Sequence, residues 1–106
     1  MYQELNALQL RQVLSENQNV LLIDVRTEAE VAYGVIDGAV HMPMHLVPLK
    51  AHTLDPAQPT VFYCRSGARS GQVCAFLASR GHRNAYNLQG GVEAWVRAGE
   101  ALAPAA

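Results

Sequence analysis

The apolar positions of this chain follow two rhythms, a helical one and one of short continuous runs. Leu8, Leu10, Val13 and Leu14 form a stripe suited to one helix face, and Asn6 with Gln9 three residues later has the spacing of a capping box. Together they predict a helix ending near Asn17. Residues 20–25 are apolar except at Asp24, the pattern of a strand covered on both faces. Thr27 and Glu30 repeat the capping-box spacing and predict a short helix over 28–33 that stops at Gly34. Residues 36–43 carry turn chemistry around a short extended piece, and one short helix is expected near 47–52 in the poorly patterned stretch up to Pro59.

Thr60, Val61, Phe62 and Tyr63 are β-branched or aromatic, hence a strand, and run directly into Cys64. Val73, Phe76 and Leu77 then give a helical stripe that Gly81 terminates. Residues 85–88 form a further strand, Gly90 and Gly91 a tight turn, and residues 92–98 a last helix closed by Gly99. Strands alternating with helices of this length imply right-handed crossovers and an α/β fold: a mainly parallel central sheet with helices on both faces.

Composition narrows the picture. With 106 residues, 50% of them apolar and 16% charged, the chain is expected to form one domain over residues 1–100 with a real core. The Ala/Pro-rich tail over 101–106 is expected to be flexible and to fray. A formal net charge of -1 provides no bulk field toward nucleic acid or an anionic membrane, so neither is an expected partner. The first residues lack the basic head and apolar stretch of a signal peptide, and no apolar run, that at 20–23 included, is long enough to span a bilayer. A soluble, cytoplasmic protein is expected. Its two cysteines are too few for a disulfide scaffold, so each needs either reactivity or packing to explain it.

Ligand sites in open α/β sheets lie beyond the carboxyl ends of the strands, where the heptapeptide Cys64, Arg65, Ser66, Gly67, Ala68, Arg69, Ser70 leaves a strand and opens a helix. Gly67 and its small neighbours let successive N–H groups curl inward into an anion nest backed by the helix dipole. A thiol at that lip ionises readily, and Arg65 and Arg69 add positive charge. The plain alternative, a small apolar residue packed at a strand end, does not account for two arginines, a glycine and two hydroxyls in the next six residues. Cys74, on the following helix without flanking cations, reads as core. Arg26 is within reach of Glu30, which predicts a structural ion pair, while Asp24 is placed to brace the loop. Trp95 reads as a core anchor. Pro43 breaks any helix that would align His41 with His45, so no metal is expected, and one of these histidines is left as a candidate for the pocket rim.

The Cys64–Ser70 loop, the Asp24-Val25-Arg26 strand end, Glu30, the Gly34-x-Ile36-x-Gly38-Ala39 turn and Leu88-x-Gly90-Gly91-x-x-x-Trp95 together resemble the rhodanese family of sulfurtransferases, in the family's order and over nearly the whole chain. The resemblance implies a single-domain rhodanese fold, no cofactor, and a persulfide formed on Cys64. Its sulfur would come from a small anionic donor such as thiosulfate, a persulfide or a polysulfide, and pass to cyanide or a thiol. A sulfur-carrier protein is a further candidate partner. The loop residues from Arg65 to Arg69 would bind the donor, with Arg69 fixed at the helix start by family analogy, and Ser70 would support the site. The departure is Val35, where many rhodaneses have a histidine usually taken as structural.

Three alternatives stand beside this. Rhodanese-like phosphatases and arsenate reductases need an arginine six residues after the cysteine; here Arg69 is five residues on and Ser70 holds the sixth place. A non-catalytic binding module would generally lack the cysteine. A redox switch pairing Cys64 with Cys74 would make Cys74 essential.

Overall fold

The computed structural model describes residues 2–16 and 19–105. Five strands, β1 (Gln3–Leu5), β2 (Leu21–Asp24), β3 (Val40–His41), β4 (Thr60–Tyr63) and β5 (Ala85–Leu88), form one sheet in the order β1-β5-β4-β2-β3. Every pairing is parallel. The helices are α1 (Ala7–Glu16), α2 (Glu28–Val31), α3 (Val47–Lys50), α4 (Ala68–Ser79) and α5 (Gly91–Arg97), with single 3-10 turns, Met44–Leu46 and Ala51–Thr53, on either side of α3. Among the described residues no helix is long and apolar enough to cross a membrane.

The period-2 alternation of the strands divides the core into two layers. Leu22, Val61, Tyr63 and Leu88 face α1 and α5 with Leu10, Val92 and Trp95. Ile23, Phe62, Cys64 and Ala85 face the other way, toward Val47 of α3 and Val73, Cys74 and Leu77 of α4. Helices thus cover both faces, as the uninterrupted apolar runs of β2 and β4 require.

Both capping boxes form. Asn6 and Gln9 exchange two 2.8 Å bonds ahead of α1, and Thr27 and Glu30 exchange bonds of 3.0 and 3.3 Å ahead of α2. Asn17, the expected end of the first helix, lies outside the described residues. The expected strands over 20–25 and 60–63 appear as β2 and β4.

Two features were not legible in the pattern. β1 has only three residues and a single buried one, Leu5, because it is an edge strand paired to β5 alone; so short an element shows no alternation to read. At the other terminus, where fraying was expected, Ala103 exchanges bonds of 2.8 and 2.7 Å with Val35 in an isolated antiparallel bridge. Leu102 packs against the first core layer and over Gly34, whose φ of +125° strains any side chain and where an added Cβ would sit a tight 3.1 Å from the Leu102 side chain. Val35 is buried under that bridge, so a valine there serves packing.

Candidate functional site

Cys64 follows β4, and strand alternation aims its side chain at the face covered by α4. The chain then turns through Gly67, which sits at φ +99° as the N-cap of α4. That left-handed residue directs the first amides of the helix back onto the sulfur. Gly67 N–H donates to Cys64 Sγ at 3.1 Å, and Ser70 approaches through its amide at 3.5 Å and its hydroxyl at 3.4 Å. Amides that have no intrahelical partner are spent here on sulfur.

The residue is only 1% exposed, so its ionisation is a contest. Burial pushes the thiol up; the Ser70 hydroxyl and the amides of Ser70, Gly67 and Ser66 pull it down, and the net direction is below an ordinary thiol. Cys74 is equally withdrawn but faces no such donors: burial, with the charge of Glu4 behind it, pushes it up to about 12. Both thiols are free.

The loop is carried from behind by α5. Val92 N–H donates to Cys64 O at 2.9 Å and Glu93 N–H to Arg65 O at 3.1 Å. This approach needs Gly91, at φ +60°, where a Cβ would fall 2.4 Å from Arg65 O and 2.5 Å from Cys64 O. Of the two expected turn glycines, Gly90 ends the turn as the N-cap of α5, while Gly91 is the helix's first residue. Their larger task, letting one helix start dock on the loop of another, is visible only once β5 and β4 are adjacent.

The cations pair differently from the expectation. Arg26 does not reach for Glu30; its guanidinium grips Asp24 at 2.7 to 3.0 Å, donates to Gly34 O and lies 5.6 Å from the Tyr63 ring. Asp24 is wholly buried, and a neighbouring guanidinium two residues on satisfies it better than one that must leave the sheet end. Asp24 therefore braces Arg26 rather than the loop directly. Glu30 instead takes a bidentate pair from Arg69, at 2.7 and 2.8 Å, and that pairing holds its carboxyl down at about 2 against the opposing effect of burial. Arg69 is thereby fixed at the start of α4. Arg65 is mostly exposed and meets Glu93 in a single 3.0 Å contact.

Arg26 lines two clefts beside the loop. One, of about 500 Å³, also has Thr27, His45 and Arg69; the other, of about 610 Å³, has Glu30, Tyr33, Arg65 and Glu93. His45 is thus at a rim, while His41 is turned to the Arg26 carbonyl, 2.8 Å from its Nε2. Sequence reasoning missed Asn87. It is 3% exposed on the α4 face of β5, its Oδ1 2.5 Å from the Ser70 hydroxyl and its Nδ2 bonded to Gly67 O and to Glu4. A polar residue at an inward position of a strand covered on both faces was the available signal.

Residues 6–98 match the family described as Rhodanese-like domain. A sulfurtransferase of Allochromatium vinosum is 44% identical over 99 residues, covering 93% of this chain and 92% of that protein. The thiosulfate sulfurtransferase GlpE of Actinobacillus succinogenes is 34% identical over 84 residues, 79% of this chain and 76% of its own length. The crystal structure of a rhodanese-like domain protein from Staphylococcus aureus superposes with a TM-score of 0.86 at 30% identity, covering 98% of this chain and 99% of that one. A family match over most of the sequence, joined to a 44% identical relative aligned along nearly all of both proteins, has one consequence: this chain belongs to the rhodanese-like domain family.

Proposed function

We propose that this protein is a sulfurtransferase in which Cys64 takes a sulfane sulfur from thiosulfate or a persulfide or polysulfide donor and passes it to cyanide or a thiol. The carrying observation is the convergence on Cys64 Sγ of donors from the N-cap and first turn of α4, led by the 3.1 Å bond from Gly67 N–H and joined by the Ser70 amide and hydroxyl. In the first step the thiolate attacks the outer sulfur of thiosulfate. A sulfur–sulfur bond to Cys64 forms as the one within thiosulfate breaks, and sulfite leaves with the electron pair. The terminal sulfur of the resulting persulfide carries negative charge that fixed N–H dipoles are suited to hold. In the second step cyanide or a thiolate attacks that terminal sulfur, and the Cys64 thiolate departs as leaving group. The names borne by the relatives, sulfurtransferase and thiosulfate sulfurtransferase, support the same reading.

Arg65 is the residue best placed to draw in an anionic donor. Its exposed pair with Glu93 costs little to break, whereas Arg69 is committed to Glu30 by two short bonds. That commitment also argues against phosphate ester chemistry, since Arg69 is turned away from the role of cradling a tetrahedral oxyanion. Aryl phosphates are expected to release no phosphate, and release that Cys64→Ser abolishes would reverse this assignment.

The test is intact-protein mass after incubation with thiosulfate. A gain of one sulfur atom is expected, removed by cyanide and absent in Cys64→Ser. No gain in the wild-type chain with any of thiosulfate, glutathione persulfide or polysulfide overturns the proposal.

A further inference from the structure

The hydroxyl of Ser70 has two claimants. Its Oγ lies 3.4 Å from Cys64 Sγ and 2.5 Å from Asn87 Oδ1, and a serine hydroxyl has one proton to donate. The orientation of the Asn87 amide decides between them. Its Nδ2 faces Gly67 O and both oxygens of the Glu4 carboxylate, each at 3.1 Å. All three are acceptors, so the nitrogen must point at them and the oxygen at Ser70. With Oδ1 fixed as an acceptor, the proton in the 2.5 Å contact is that of Ser70; without it, two oxygens would meet lone pair to lone pair.

We propose that Asn87 is a positioning residue: it captures the Ser70 hydroxyl proton while Cys64 is a thiol, and it must surrender that proton before the hydroxyl can donate to a sulfur anion. The inference rests on the reading of Cys64 as the sulfur-carrying nucleophile. In the thiol state S–H donates to Ser70 Oγ, Ser70 O–H donates to Asn87 Oδ1, and Asn87 Nδ2 donates to Gly67 and Glu4. Every proton of this chain points away from the sulfur. When the thiol proton leaves to solvent, the amides of Gly67 and Ser70 hold the anion at once, but the hydroxyl turns toward it only by giving up its short bond to Asn87. Asn87 therefore opposes ionisation through Ser70 while it steadies the loop through Gly67 O.

Other groups face this cluster. Glu4 comes from β1, and its charge also reaches Cys74. Arg69 of α4 interacts with the charge of Cys64, and the Tyr2 hydroxyl and the Asn87 amide both border the space a side chain at Gly71 would fill. Asp24 and Arg26, at the end of β2, neutralise each other.

The test is the pH dependence of Cys64 alkylation by iodoacetamide in the full chain, read at that residue by peptide mass. In Asn87→Ala the midpoint is expected to fall by about half to one pH unit, because the freed hydroxyl then donates to the thiolate. In Ser70→Ala the same Asn87 substitution is expected to move the midpoint by less than a third of that shift. A purely structural Asn87 would act alike in both backgrounds. If Asn87→Ala does not fold, Asn87→Ser, whose hydroxyl stops short of Ser70, carries the same expectation. An unchanged or raised midpoint in the folded variant, or a fall undiminished by Ser70→Ala, overturns the proposal. Alkylation needs no sulfur donor, so the outcomes separate: failure to take up sulfur with the expected midpoints sinks the sulfurtransferase reading, and the reverse sinks the role of Asn87.

Discussion

Cys64 and Cys74 sit in the same apolar layer beneath α4, both withdrawn from solvent, yet their thiols move in opposite directions. Burial pushes each of them up. At the end of β4 it is outweighed by the Ser70 hydroxyl together with N–H groups that the start of α4 leaves without partners; in the middle of α4 every nearby amide already serves the helix, and nothing offsets burial. Reactivity here follows from where a thiol stands relative to a helix terminus. Depth in the core does not distinguish the two.

Exchanging the thiols one at a time is the sharpest way to break this contrast. Cys64→Ser is expected to lower sulfur transfer by at least about a thousandfold, since the nucleophile itself is lost. Cys74→Ala is expected to leave turnover within about twofold and to cost roughly 1–2 kcal/mol of stability as a small cavity opens, measured by denaturant unfolding. Loss of activity in a folded Cys74→Ala protein would favour the thiol pair as a redox switch.

The next effect in size concerns what holds the amides in place. Gly91→Ala adds a Cβ against the carbonyls of Cys64 and Arg65 at a positive φ, and a cost of about 2–4 kcal/mol is expected. Its sulfur transfer should fall with the stability, because α5 can no longer dock on the loop. Cys64 alkylation that keeps the wild-type midpoint in this variant would show that the loop shapes itself without α5.

Much of this contrast was legible before the fold was known, and what escaped did so for physical reasons. The Cys64 loop announced itself because its glycine, its small residues and its position between a strand and a helix are local properties. Both capping boxes were equally local. The partners of Arg26, Glu30 and Arg69 were not, since which carboxylate a guanidinium reaches depends on how β2, α2 and α4 converge. Asn87 and the docking of Gly91 required knowing that β5 lies beside β4. The bridge from Ala103 to Val35 joins residues far apart in the chain, and no composition signals it.

Smaller effects are expected among the cations. Arg65→Ala should raise the Michaelis constant for thiosulfate by roughly threefold to tenfold with little change in kcat, consistent with loss of one exposed charge that meets the donor. An unchanged constant would remove Arg65 from donor binding. Glu30 gives a stability effect of defined sign. Arg69 holds its carboxyl at about 2 in the fold, against an ordinary value of 4.5, so the pair contributes fully above about pH 4.5 and is lost as pH falls toward 2. Glu30→Gln should therefore flatten the decline in stability across that window, as read by thermal unfolding at stepped pH; a decline as steep as in the wild type would place the acid sensitivity elsewhere.

The pH dependence of alkylation at both cysteines of the unaltered chain, followed residue by residue, goes to the centre of the matter. Cys64 is expected to titrate below the roughly 8.5 of a free thiol, while Cys74 stays unreactive from neutral into mildly alkaline solution. A Cys64 midpoint at or above that free-thiol value, or two cysteines that react alike, would contradict the claim that the Ser70 hydroxyl and the amides at the start of α4 overcome burial.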